Sequence, residues 1–314
     1  MKNTFTQPGD FWKERDFGAK FSAVFEFLGA HWRPLGRVML YLVVPAALLQ
    51  GIVASLVQPH IIAAIRESQF GSGTYSARYA TYLANFNSPW YLLSNVASVA
   101  FHTILILSVY GYLMRCVYAE HPGAPVTAPD VWAVVKRKFL GTFFSLYGIW
   151  LLIAAGFVVF FFPGFYLMIA LSLFFAVDMM EDHGFVPSIS RSLQLVRGKW
   201  WSTFGLLAIM LLVIYVVFAG IGVVAVLGGG IKSLVLSTGT LSGPVLTVVS
   251  ALSGVLSIVL YLPLMLVLAF QYFNLVERKE GVGLRQLVHK LGDSTSTAPV
   301  AESDHYRPDD EGEY

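Results

Sequence analysis

The sequence predicts an all-α fold: a polytopic membrane bundle of about six transmembrane helices, in three repeats of a surface amphipathic helix plus a transmembrane hairpin. Three observations carry that prediction. Apolar residues make up 56% of the 314-residue chain and charged residues only 13%, whereas soluble domains hold under half and about a quarter. Apolar runs of roughly the twenty residues that cross a bilayer recur at 35–57, 91–114, 140–162, 164–180, 204–228 and 246–274. Third, VKRKFLGTFF at 135–144 returns as VRGKWWSTFG at 196–205, setting Val135 on Val196, Lys138 on Lys199, Phe139 on Trp200, Thr142 on Thr203 and Phe143 on Phe204. Each copy heads an apolar run.

The first element is a cytoplasmic N-terminal segment, 1–34. Its start, MKNTFTQPGD, has no apolar h-region and reads as a retained N-terminus rather than a secretory signal. Within it, Phe17, Phe21, Val24 and Leu28 form the stripe of an amphipathic helix over 11–31, with Lys13, Arg15, Lys20 and Glu26 off the stripe and the bases toward anionic lipid. The same design recurs at 130–139, where Trp132, Val135 and Phe139 flank Lys136, Arg137 and Lys138. It returns at 188–200, with Ile189, Leu193, Val196 and Trp200, and trails at 284–291. The membrane domain with its interfacial helices occupies 35–292.

Each outgoing pair of spans ends alike, at Glu120-His121-Pro122-Gly123, Glu181-Asp182-His183-Gly184 and Glu277-Arg278-Lys279-Glu280-Gly281. An acid and a glycine at a helix exit fit a chain turning along the membrane surface. Phe162-Pro163-Gly164-Phe165 predicts a tight turn between the third and fourth spans. The other outer connections are longer: 58–89, and the Gly/Ser-rich 228–244. The final segment, 293–314, sets seven acids against Arg307 as its one cation and is expected to be a disordered acidic tail.

Charge placement orients the bundle. Of the 21 Lys and Arg, all but Arg66, Arg78 and Lys232 fall in the segments on one side. The positive-inside rule puts that side, and with an even number of spans both termini, in the cytoplasm of a bacterial inner membrane.

The stretch 162–205, FPGFYLMIALSLFFAVDMMEDHGFVPSISRSLQLVRGKWWSTFG, resembles the repeated hairpin of bacterial proteins related to the glycerophosphoryl diester phosphodiesterase membrane domain. The shared pattern is a Pro-Gly turn, an apolar span, an acidic residue and a Ser-Leu surface helix ending in a basic-aromatic pair. RDFGAKFSAVFEFL at 15–28 and FNLVERKEGVGL at 273–284 resemble uncharacterised members without an enzyme domain. The resemblance implies a helical membrane domain; the phosphodiesterase chemistry belongs to a separate soluble domain that this sequence lacks.

Catalytic and metal-binding patterns are missing from the sequence. Cys116 is the single cysteine, excluding an internal disulfide or a CxxC site. Gly228-Gly229-Gly230-Ile231-Lys232-Ser233 lacks phosphate-loop spacing. Glu181-Asp182-His183 reads as a solvated helix exit, since three consecutive residues do not share one helix face. No cofactor and no nucleic-acid partner is expected. Two groups of candidate residues remain. Trp32, Arg33, Lys138, Phe139, Arg197, Lys199, Trp200 and Trp201 suit a headgroup interface, where rings sit at the boundary and cations reach phosphate. Gln50, Asn95 and His102 form a candidate intramembrane polar cluster. The expected function is non-enzymatic: membrane organisation, lipid interaction or recruitment of a protein partner, with homo-oligomer formation included. A permease-like carrier of an uncharged or amphipathic solute, and a membrane subunit of an enzyme encoded elsewhere, stand as alternatives.

Overall fold

The computed structural model describes residues 5, 7–70, 74–76, 80, 88–119, 125–227 and 243–295. The predicted exit at 120–123 and most of the Gly/Ser-rich connection lie outside these residues, as do the inner part of the first outer segment and 296–314 of the acidic tail. The described chain is all-helical. In order it forms α1 (Phe17–Val38), a π turn (Met39–Val43), α2 (Val44–Phe70), α3 (Pro89–Val117), α4 (Ala128–Val159), α5 (Phe161–Ala170), a 3-10 turn (Leu171–Leu173), α6 (Phe174–Glu181), α7 (Phe185–Val196), α8 (Trp200–Leu227), α9 (Gly243–Glu280) and α10 (Val282–Thr295).

Six stretches are long and apolar enough to cross a membrane: Phe17–Val57, Pro89–Val117, Ala128–Val159, Phe161–Glu181, Trp200–Gly220 and Gly254–Glu280. Two predicted surface helices turn out not to be separate. The N-terminal amphipathic segment runs through the π turn into the first span, so Phe17–Val57 is one helix of 41 residues, about 60 Å at 1.5 Å per residue. Likewise 130–139 is the first third of the unbroken α4. Pro34 and Gly36 lie inside the first of these helices and Gly141 inside the second, and neither helix stops there. Thr127 starts α4 with a capping box to Asp130.

Only the third copy breaks. Gly198, at φ +82°, stands between α7 and α8 in a conformation that disfavours a side chain. The faces also differ from those expected. In α1 the buried positions are Lys20, Ala23, Val24 and Phe27, with Phe17 largely exposed; in α7 they are Ser188, Ser192, Leu195 and Val196. Both faces are turned by about one residue because each packs into the bundle. Ser192 Oγ donates to Ala170 O at 2.7 Å, fixing α7 against the kink between α5 and α6.

The hairpin turn lies earlier than predicted. Phe160 alone, in extended conformation, joins α4 to α5, and Pro163 and Gly164 sit in the first turn of α5, where proline needs no intrahelical donor. The glycines serve close approach instead: a Cβ on Gly156 would stand 2.9 Å from Gly164 Cα. This small-on-small contact lets two membrane helices touch along their backbones.

At the opposite end from this hairpin, aromatic rings from the N-terminal segment fill the bundle. Phe11 and Phe27 are fully buried and meet Phe270 of α9, whose ring lies 6.2 Å from Phe27. Tyr112 of α3 closes the group at 6.3 Å from Phe27. Such pairs contribute about 0.5–1.5 kcal/mol each beyond area burial. Arg15 lies over Phe270 at 5.0 Å and its backbone N–H donates to Asn274 Oδ1 at 2.8 Å, tying the chain before α1 to the end of α9.

Candidate functional site

The end of the bundle that holds residues 10–20, 115–138, 178–199 and 277–285 gathers most of the ionic contacts. Two clusters dominate. In the first, Lys138 of α4 meets the end of α6, with its ammonium 2.5 Å from Asp182 Oδ1, 3.9 Å from Asp178 Oδ2 and 3.0 Å from Asp178 O. A cation on the last carbonyls complements the negative end of a helix. Asp182 is the residue that stops α6, at φ +52°, a region short polar side chains tolerate. The Lys138 hydrogen bond, and then its charge, hold the Asp182 carboxyl below the usual carboxylate range.

In the second cluster Arg191 of α7 lies between two carboxylates. Its Nε donates to both Glu181 oxygens, at 3.1 and 2.9 Å, and its guanidinium pairs with Glu280. Tyr272 of α9 donates to Glu181 Oε1 at 2.9 Å. His183 Nδ1 stands 3.3 Å from the other oxygen. Glu181 is therefore no solvated exit: its side chain is 14% exposed and joins α6, α7 and α9. Burial alone would lower the Arg191 pKa, but the bonds to Glu280 and Glu181 outweigh it and the guanidinium is held above its ordinary value. Tyr118, whose hydroxyl donates to Met180 O at 3.4 Å, has its phenol raised by burial and then by the charge of Glu181.

Other acids of this end are also paired. Glu14 pairs with Arg278 at 3.3 Å. Glu277 accepts from the backbone N–H of Gly283 at 2.7 Å and of Leu284 at 3.2 Å, which starts α10. Burial lowers the Arg15 pKa while Glu26 and Asp10 pull it back.

The predicted interface residues divide accordingly. Lys138 is enclosed, and Phe139 is half-buried, stacked 5.9 Å from Phe143. Trp200 packs flat on Tyr166 and Phe204, and its indole N–H donates to Tyr166 O at 3.3 Å. Trp32, with Arg33 over its ring at 5.2 Å, and Trp201 are exposed at 60% and 76%. Arg197 and Lys199 are exposed, and among the described residues neither side chain makes a hydrogen bond or ion pair. Lys20, expected to face lipid, is 3% exposed, within electrostatic reach of Arg278 and Lys199 on the repulsive side and Asp16 on the attractive side.

The three intramembrane candidates do not join one another. Asn95 accepts from the Tyr147 hydroxyl at 2.7 Å. His102 Nδ1 contacts Ser98 O of its own helix at 2.7 Å and its ring lies edge-on to Tyr261 of α9, 6.0 Å away. Gln50 is half-buried on α2. Sequence reasoning missed Arg191, Glu280, Tyr272 and Asn274 as members of the polar end, because their partners lie on other elements.

Six long apolar helices closed at one end by these ion pairs define a multi-pass membrane protein. Comparison of the chain with protein-family models, curated proteins and solved structures returns no match.

Proposed function

We propose that the chain is a non-enzymatic protein of the bacterial cytoplasmic membrane whose ion-paired end faces the cytoplasm, where it binds anionic lipid headgroups and organises the adjacent leaflet. The observation that carries this reading is an asymmetry of pairing. Asp178, Glu181, Glu277 and Glu280 are paired within the fold, and Asp182 is paired with Lys138 at its edge, while exposed Arg33, Arg197, Lys199 and Arg285 are left facing outward beside Trp32 and Trp201. Each outward cation near an anionic surface contributes about 1 kcal/mol, and indole rings favour the boundary. Both termini lie in the cytoplasm in this reading, in keeping with the basic segments of the sequence. The matched 135–144 and 196–205 segments support an origin in repeated units of amphipathic helix and hairpin. The resemblance of 162–205 to the phosphodiesterase-associated membrane domain adds a helical membrane domain and no chemistry.

The test is native mass spectrometry of the full chain released from nanodiscs of defined composition. Replacing Arg197 and Lys199 together by Gln should lower retention of phosphatidylglycerol roughly tenfold or more, as two contacts of about 1 kcal/mol each predict. Unchanged retention would remove the basis for the proposal.

A further inference from the structure

Between α4 and the α6–α7 connection lies a cleft of about 440 Å³ lined by Arg137, Lys138, Thr142, Ser145, Asp178 and Asp182, with Phe144 and Phe185 among its other walls. That volume is in the range of small-ligand sites. The lining carries two cations and two carboxylates, so a bare anion entering it meets Asp178 and Asp182 as well as Arg137. A zwitterion meets a partner for each end. Lys138 is already committed to Asp182 and Asp178 O. Arg137 is exposed, within electrostatic reach of Asp182, and Asp182 keeps most of its carboxylate open, at 71% exposure. An ionised carboxylate has about four lone-pair sites, so one bond from Lys138 leaves room for further donors.

The surface beside the cleft is apolar. Leu140, Phe144, Tyr147 and Leu151, at i, i+4, i+7 and i+11, form an exposed stripe that runs along α4 from the charged end toward the hairpin. A molecule held in the cleft by its polar end would lay any hydrocarbon on that stripe. We propose that the cleft is a binding site for an amine-bearing phospholipid, with the primary ammonium on Asp182 and Asp178, the phosphate on Arg137, and an acyl chain along the α4 stripe. This deepens the lipid-binding reading and rests on it. A primary ammonium brings three N–H donors to the carboxylates, and charge-assisted bonds of this kind are the strong ones. A trimethylammonium headgroup brings none, so the cleft distinguishes ethanolamine from choline lipids.

The experiment presents the full chain with equal amounts of phosphatidylethanolamine, phosphatidylcholine and phosphatidylglycerol of identical acyl chains and reads retention by native mass spectrometry. Wild type should keep the ethanolamine lipid over the choline lipid by at least about tenfold, the worth of one charge-assisted bond. Asp182→Asn, which Asn's tolerance of the left-handed backbone keeps folded, should bring that ratio to about one. Arg137→Gln should weaken both lipids alike, leaving their ratio intact. Free phosphoethanolamine should compete poorly, having no chain for the stripe. Equal retention by wild type, an unchanged ratio in Asp182→Asn, or full competition by phosphoethanolamine would overturn the site. The Arg197/Lys199 variant separates the two claims: it should reduce the glycerol lipid without moving the ethanolamine-to-choline ratio.

Discussion

Replacing Arg191 by Met tests whether the polar end holds the bundle closed. The change keeps an unbranched apolar stem of similar reach but removes the guanidinium that Glu181 and Glu280 share. Two carboxylates then face each other, with Tyr272 and His183 left beside Glu181. Breaking a fully buried pair costs about 3–5 kcal/mol. Here the Glu181 and Glu280 side chains are 14% and 35% exposed, so water recovers part of that and about 2–3 kcal/mol remains. At about 2–4 °C per kcal/mol for large domains, the unfolding midpoint should fall by roughly 4–12 °C. Tryptophan fluorescence or circular dichroism in nanodiscs reads it. Adding Glu280→Gln to Arg191→Met should restore part of the loss, because it removes one of the two facing charges. A midpoint within about 1 °C of wild type, or a double variant no better than the single, would refute the argument that this cluster joins α6, α7 and α9.

Two further outcomes follow from single contacts. Asp182 has a folded-state pKa below its ordinary value, so its pairing with Lys138 contributes fully above the unfolded value of about 3.9 and is lost as pH falls through the folded one. A midpoint-against-pH curve should thus show a small acid-side drop below about pH 4, absent in Asp182→Asn; its size is limited by the solvent around an exposed carboxylate. At Gly164 a Cβ would stand 2.6 Å from the backbone nitrogen of Phe157, so Gly164→Ala should cost about 1–3 kcal/mol. Gly36→Ala, with nothing within 4 Å of its added carbon, should be neutral or stabilising by up to about 1 kcal/mol, and thermal unfolding of the pair measures the difference.

The spans were legible because a bilayer-length apolar run is a local signal: every one of the six stretches overlaps a run visible in the sequence. The surface helix expected over 188–200 ran through Gly198, whose positive φ instead ends α7 at Val196 and lets α8 start at Trp200. What periodicity could not supply was phase. Lys20 looks like a surface cation until α1 is packed into the bundle, where it is buried within electrostatic reach of Lys199 and of Arg278 at the end of α9, residues that no pattern near Lys20 mentions. Glu181 misled for the same reason. Its neighbours in sequence are Asp182 and His183, whereas its partners Arg191 and Tyr272 arrive from other helices. The candidate site was half visible: exposed Arg197, Lys199, Trp32 and Trp201 follow from composition, but the enclosure of Lys138 depends on where α6 ends.

The single residue between α4 and α5 bears on how the protein is made. Phe160 donates its N–H to Gly156 O at 3.0 Å and accepts from Gly164 N at 3.4 Å, so the link satisfies its own backbone and asks nothing of water. The flanking sequence, FVVFFFP at 157–163, offers no charge or side-chain amide to be carried across. A nascent α4 emerging from the translocation machinery therefore has no polar loop to deliver to the far side before α5 follows it. The two helices share one decision about orientation: neither can invert unless its neighbour inverts with it.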